Sequence, residues 1–577
     1  MRPIYRFAPK PLRRAVIGLI PQARRMSLTR RLSRSRMHLS IAAPGNTRIV
    51  RDERALVRAT VTSATPLALR RSNLDAAIDA MRRLGIPYFR VTSANPFGTA
   101  VGVPLSAQGK IRTELARLLE GDTRYSLRWR SVDDSTTRRR SGSGVILRVF
   151  QAVSAPDGRA VYGQRFGCDI EFWTQRGERL MAPRKNPVTP EVDASRPVTQ
   201  APEHVFGSFA GPFDDKAYQT RDEFTVTPPD RVTFPVDAVY TWVNGDDPAW
   251  RERKHAAMVE HTGVNTLNPM AASDSRYTNR DELRYSLRSL QENAPWIRHI
   301  YIVTDDQVPT WLNVSHPKVT VVDHKEIFGD TGKLPTFNSH AIESRLHRID
   351  GLSEHFLYVN DDMFIGRPVT PDMFFSPNGL SYFFPSPAMV DLNPASVKDS
   401  PVDAAAKNNR TLIERHFGKT TVRKMKHIVY PLRRSVLAEI AQSCHAEVEA
   451  TASHQFRHPS DLSITSSLYH YWAYCTGRAV PSKVSYMYAD LADPSTPLRL
   501  SELISNRDMD SFCLNDTDAD AVPLELQHRV ISDFLATYFP NATSLELPKA
   551  TPQLHRQRKE SDSSPPQQPD PTRSASV

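Results

Sequence analysis

Two adjacent aspartates, Asp361–Asp362, are the residues in this chain best placed to do chemistry. The apolar run Phe356–Leu357–Tyr358–Val359 leads into Asn360–Asp361–Asp362, and the chain turns at Gly366–Arg367–Pro368. An α/β protein delivers acids in this way to the carboxyl end of a buried strand, where ligands bind. Adjacent carboxylates repel unless a proton or a cation lies between them. A divalent cation on a nucleotide diphosphate would supply that charge, so Mg2+ or Mn2+ is the expected cofactor, with Asp361 and Asp362 as its ligands. On this stretch alone, a strand-end turn with solvated acids fits equally well. Two further strand ends carry acids, Asn244–Gly245–Asp246–Asp247 and Asp305–Asp306. Several such ends meeting at one sheet edge would suit a metal–phosphate site.

Downstream lie His427, in Lys426–His427–Ile428–Val429–Tyr430–Pro431, and then His454–Gln455–Phe456–Arg457–His458. His454 and His458 have the i, i+4 spacing of a helical metal pair, but no third ligand is evident and Pro459 ends the local helix. A polar helix face is the better reading. Arg457 would suit a phosphate because its planar fork matches two oxygens, although an ordinary surface Arg reads the same. The acidic stretch around Cys513–Leu514–Asn515–Asp516 lacks the Gly and terminal Glu of an EF-hand loop, which argues against calcium sensing.

Alternating strands and helices must position these residues. Val236–Val243 reads as a strand ending in the Asn244–Pro248 turn. A helix is expected from Asn279, with Glu282 three residues on completing a capping box and Leu283, Leu287 and Leu290 on one face. Strands at 300–303 and 319–322, a helix near 339–349 and the strand at 356 follow. The pattern predicts an α/β, Rossmann-like, largely parallel sheet over residues 232–550. Before it, a helix at 74–81 and strands at 87–91, 125–129, 144–150 and 169–173 predict a small α+β accessory domain over 52–185. Pro187, Pro190, Pro197, Pro202, Pro212, Pro228 and Pro229 mark 186–231 as a linker. The tail, 551–577, should be disordered.

The chain has 577 residues, 40% hydrophobic and 24% charged, enough for several domains. Its net charge is +12, but residues 1–36 hold 11 Lys and Arg and no acid, so the body is nearly neutral. A nucleic-acid binder would carry its basic face on the body, so no nucleic-acid partner is expected. The basic arm, 1–51, is expected to be disordered, with 1–36 available for peripheral contact with an anionic membrane. No apolar run approaches the roughly 18 residues of a membrane span. Four cysteines, widely spaced and without a CxxC, argue for a reducing compartment. The expected location is cytoplasmic, with the inner face of the plasma membrane within reach of the arm.

Several blocks resemble the Stealth family. They are Tyr240–Thr241–Trp242–Val243–Asn244–Gly245–Asp246, Arg280–Asp281–Glu282–Leu283–Arg284, and Leu334–Pro335–Thr336–Phe337–Asn338 running on to Asn360–Asp361–Asp362. His427 to Ile440 with Phe456–Arg457–His458, and Phe512–Cys513–Leu514–Asn515–Asp516, continue the resemblance, which spans 236 to about 545. It implies transfer of hexose-1-phosphate from a UDP-sugar donor to a hydroxyl of a glycan acceptor, with UMP as leaving group, in exopolysaccharide or capsule synthesis. The accessory region and the Arg/Pro-rich composition are similar to the actinobacterial exopolysaccharide branch. By the same resemblance, His427 is the expected base and Arg457 stabilises the phosphate. Asn244, Gly245, Asp246, Arg280, Arg284, Asn338, Glu343, Asn360, Asn515 and Asp516 complete the substrate pocket. The family's His-x-Pro-His motif is altered here: His427 is kept, and Tyr430 replaces the second His. Asn244 stands where many members have Asp. A glycosyltransferase releasing UDP, and a non-enzymatic carbohydrate-binding protein, are the alternatives.

Overall fold

The computed structural model describes residues 41–548, apart from 44–45, 53–54, 123, 131–144, 157, 212–215, 262–276 and 517–522. The basic segment 1–36 and the 551–577 tail lie outside the described residues.

The site rests on a five-stranded sheet in the order Val319–Asp323, Ile300–Thr304, Val236–Thr241, His355–Asn360, Tyr430–Arg433. The first four strands are mutually parallel and the last runs antiparallel. Val236–Thr241 and His355–Asn360 are buried along almost their whole length, as strands covered on both faces must be. From Val236–Thr241 the chain adds two strands on one side and then crosses to the other side for His355–Asn360. That reversal opens a crevice at the carboxyl ends of these two strands, where Thr241 pairs with Asn360.

Directly beyond Asp362 the chain enters a second, three-stranded sheet. Met363–Ile365 pairs antiparallel with Ser511–Asn515, which pairs in parallel with Tyr486–Asp490. Met363 lies opposite Cys513, so the register itself carries Cys513 and Asn515 to the aspartates. The Glu282–Asn293 helix packs on this strand, with Ser286 Oγ donating to the Met363 carbonyl at 2.5 Å and Asn293 Nδ2 to that of Ile365 at 2.7 Å.

The helix begins later than its sequence suggests. Its N-cap is Asp281, in the left-handed region at φ 62°, whereas Asn279 Oδ1 accepts from the Asp281 amide. Glu282 still reaches back, but to the Arg280 amide at 2.7 Å. The three-residue spacing predicts a cap; the chain instead uses Glu282 to hold the Arg280 amide.

Residues 41–220 build a separate 13-stranded sheet flanked by the Pro66–Arg83 helix. Two expected boundaries change. Ile41–Ala43 and Thr47–Asp52, placed in the basic arm, are strands of this sheet. The 186–231 segment is not a linker, because Glu191–Asp193, Thr199–Pro202 and Ala217–Thr220 all pair into the sheet. Thr199–Pro202 is the edge strand, where a proline's missing N–H does no harm. Fully buried Glu203 ties the segment down, accepting from Arg70 and, at 2.7 Å, from Arg71. Tyr162 donates to Glu292 on the Glu282–Asn293 helix, joining the two parts of the chain. No described helix is long and apolar enough to cross a membrane.

Candidate active site

Asp362 lies at the centre of the crevice. Its Oδ2 takes the Asn515 amide at 3.1 Å and the Cys513 thiol at 3.2 Å, and His427 Nε2 stands 3.4 Å away. Its Oδ1 is buried without a hydrogen-bond partner among the described residues, as is Asn360 Oδ1. The side chains of Asp362 and His427 retain 19% and 29% exposure, so the group is open to a ligand from one side. Asp361 faces Glu282. Burial, then Glu282 and Asp362, push the Asp361 carboxyl well above its ordinary range. Burial likewise lifts Glu282 to about 7, with Arg280 opposing and Asp362 adding to the rise. Three carboxyl groups thus share a space that tolerates their full ionisation poorly. Orphaned oxygens on Asp362 and Asn360 beside these carboxyls are what a hard divalent cation would need. The oxygens of Asp362 and Asn360 can serve as ligands of a divalent cation.

His427 precedes the Tyr430–Arg433 strand, and its carbonyl accepts from Tyr486 Oη at 2.7 Å. Burial disfavours its charged form, but the Asp362 carboxylate, with help from Glu343, outweighs this and leaves the imidazole pKa raised. On the far side, His427 Nδ1 is 3.5 Å from Tyr430 Oη. Tyr430, the residue replacing the second histidine of the motif, stacks on Tyr358 with 6.5 Å between centroids. Burial and then Glu343 hold its phenol far above the ordinary range, so it stays neutral. Glu343 accepts from Tyr358 Oη at 3.1 Å and from Thr465 Oγ1 at 2.6 Å. Arg457 donates through Nη2 to Ser339 at 2.9 Å, and its buried Nε has no partner among the described residues.

The remaining expected residues divide. Arg280 is buried, donating to Asp516 at 2.8 Å and Gln527 at 3.1 Å, which ties the start of the helix to the residue after Asn515. In the first loop, Asn244 Oδ1 accepts from the Asp246 amide, while exposed Asp246 pairs with Arg251 at 2.6 Å. Gly245 comes so close to Tyr277 that a Cβ would meet its carbonyl at 2.3 Å. Asn338 is fully buried; it caps the Ser339–Glu343 helix and gives its amide to Asp461 at 2.8 Å. Arg284 joins Arg288 in clamping Glu546, at 2.6 Å each. Asp305 does not join the acids of the crevice, because Arg253 holds it at 2.8 Å. His454 and His458 stack at 4.1 Å beyond the end of the His445–Ser453 helix, so they form neither a helical metal pair nor a helix face. His454 instead pairs with Asp461 at 2.7 Å.

Three participants escaped sequence reasoning. Glu282 reads as a cap in sequence, Cys513 as part of an acidic stretch, and Asp461 carries no motif. Asp461 is the hub that gathers Asn338, His454 and the His458 amide beneath Arg457. For Cys513, the one available signal was its place in the block ending Asn515–Asp516.

Models of the four Stealth protein conserved regions match this chain in order: region 1 at 234–261, region 2 at 276–383, region 3 at 426–474 and region 4 at 501–557. An exopolysaccharide phosphotransferase of Streptomyces coelicolor is 44% identical over 86% of this chain and 85% of its own. A second from that organism is 40% identical over 91% and 92%. The exopolysaccharide phosphotransferase CpsY of Mycobacterium leprae is 41% identical over 68% and 70%. Among solved structures, the galactosyltransferase LgtC with donor and acceptor sugar analogues covers 52% of this chain at 9% identity and a TM-score of 0.27, too slight a likeness to build on. With all four regions present in sequence and gathered around Asp362, the chain belongs to the Stealth family of sugar-phosphate transferases.

Proposed function

We propose that the chain transfers hexose-1-phosphate from a UDP-sugar to a glycan hydroxyl during exopolysaccharide synthesis. The acceptor oxygen attacks the sugar-bearing phosphorus of the diphosphate, and the bond from that phosphorus to the bridging oxygen breaks. UMP leaves with the bridging oxygen, and the sugar phosphate remains on the glycan as a phosphodiester. The observation that supports this reading best is His427 beside Asp362 at the strand-crossing crevice, with Arg457 nearby presenting a buried Nε that has no partner among the described residues.

His427 Nε2 takes the proton of the attacking hydroxyl, and the neighbouring Asp362 carboxylate favours the imidazolium that results. Arg457 meets the charge that builds on the equatorial phosphate oxygens. Asn244 and Gly245 seat the donor from the first strand end, and the Arg280–Asp516 pair with Asn515 closes the other side. Mg2+ or Mn2+, held by Asp361 and Asp362, would neutralise diphosphate charge and orient the leaving group. Glu343 fixes Tyr358 and Thr465 and adds negative field behind His427. A UDP-sugar donor places the reaction on the cytoplasmic side of the envelope.

Incubating the protein with a panel of UDP-sugars, Mg2+ and a cell-envelope glycan extract tests the reading. UMP together with an acid-labile phosphodiester on the glycan is the expected result. Release of UDP would instead assign sugar–oxygen bond cleavage and a glycosyltransferase.

A further inference from the structure

Cys513 has no part in the chemistry proposed above, yet its sulfur lies at the centre of the site. Cys513 Sγ, His427 Nε2 and an Asp362 carboxylate oxygen all lie within 4.8 Å of one another, the one such group of three among the described residues. Two of the separations are 3.2 Å, sulfur to oxygen, and 3.4 Å, nitrogen to oxygen. Tetrahedral zinc bonds of about 2.3 Å to sulfur and about 2.0–2.2 Å to nitrogen and oxygen place neighbouring ligand atoms roughly 3.4–3.6 Å apart. Thiol, imidazole and carboxylate therefore already stand close to three corners of a zinc tetrahedron.

The surroundings hold these donors in place. The Asn515 amide orients Asp362 Oδ2, and Asp362 Oδ1 has no hydrogen-bond partner among the described residues. Tyr430 Oη lies against His427 Nδ1 at 3.5 Å, on the side away from Nε2, and Tyr486 anchors the His427 carbonyl. Ligating histidines are commonly held this way through their second nitrogen. Mg2+ prefers oxygen and leaves a thiolate aside, whereas Zn2+ and Co2+ take sulfur, nitrogen and oxygen together.

We propose that Asp362, His427 and Cys513 form a second cation site, selective for a thiophilic divalent ion, whose occupation switches the enzyme off. Binding replaces the thiol proton, which leaves to solvent, and engages the lone pair of His427 Nε2. The same ion draws Asp362 away from a hard cation on the diphosphate. Zn2+ and substrate-bound Mg2+ thus compete for one carboxylate, and zinc removes the base as well.

Co2+ titrated into the metal-free full-length chain reads the site directly and does not depend on what the enzyme transfers. A near-ultraviolet thiolate-to-cobalt band is expected, and Zn2+ should erase it. Cys513→Ser should abolish the band and weaken Zn2+ binding at least about tenfold against a chromophoric chelator, whereas Cys444→Ser and Cys475→Ser retain both. Should Cys513→Ser not fold, His427→Ala serves in its place, with the same loss of Zn2+ affinity expected. Cobalt absorption without a thiolate band, a band surviving Cys513→Ser, or Zn2+ affinity unchanged in His427→Ala would each overturn the proposal. Failure of the transferase assay alone would leave these readouts intact and count only against the proposed reaction.

Discussion

Two opposing influences set the proton affinity of His427. Enclosure favours the neutral ring; Asp362 and Glu343 favour the imidazolium and prevail, so the folded-state pKa lies above the ordinary 6.5 or so. A general base works only when neutral, so the acid limb of kcat/KM should fall above that value, with the rate rising as pH rises through it. Glu343→Gln removes one of the charges holding the proton and should move the limb to lower pH, as a pH–rate profile would show. His427→Ala should lower kcat by at least about 100-fold while leaving circular dichroism unchanged; near-normal turnover would remove it from the mechanism. Asp361, Asp362, His427 and Arg457 were singled out in sequence because acids at a strand end and the family blocks mark them. Glu282 and Asp461 were not, since each owes its setting to partners more than 70 residues away or to a loop with no periodicity.

The loop after Val236–Thr241 and the helix after Asp281 are fitted together by one close approach. Gly245 donates its N–H to the Tyr277 carbonyl at 2.9 Å and leaves no space for a side chain. Gly245→Ala must therefore push back the 277–280 segment that leads into Arg280. Binding of a UDP-sugar, followed by calorimetry, should weaken with little change in the metal requirement. The N-terminal part of that helix is secured by Glu546, whose carboxylate lies between Arg284 and Arg288. Burial raises the Glu546 pKa and the two guanidiniums more than reverse it, so its contribution is present at neutral pH and is lost as pH falls through the depressed value. Glu546→Ala leaves two cations facing each other and should cost about 3 kcal/mol in denaturant unfolding. The helix itself was visible from Leu283, Leu287 and Leu290. Its true start was not, because a left-handed Asp281 carries no sequence signal as clear as a Gly.

Across the whole molecule, buried histidines set an acid limit. Both ring nitrogens of His470 lack partners among the described residues, and burial pushes its pKa down to about 3. His324 is pushed down by burial as well. Each binds a proton more readily when unfolded, so stability is fully present above about 6.5 and declines as pH falls toward the folded values. Urea midpoints should drop between pH 7.5 and pH 5.5, and His470→Phe should reduce that drop. The parallel order of the central sheet followed from strand–helix alternation. The reach of the first sheet did not, because proline content reports missing N–H groups and says nothing of which edge can tolerate them.

That reach sets an order of events during synthesis. The strand pair Thr199–Pro202 and Ala217–Thr220 is the last part of the first sheet to be translated, and Val236, where the central sheet begins, follows directly. Every strand of the first sheet has therefore been made before the central sheet has more than its opening strand, so the N-terminal part can fold as a unit while the ribosome is still at work. Its Tyr162 then waits, already placed, for Glu292 to arrive. A chain started at residue 186 would carry the closing pair with no sheet to join, and a chain started near 232 would carry Glu292 without its tyrosine.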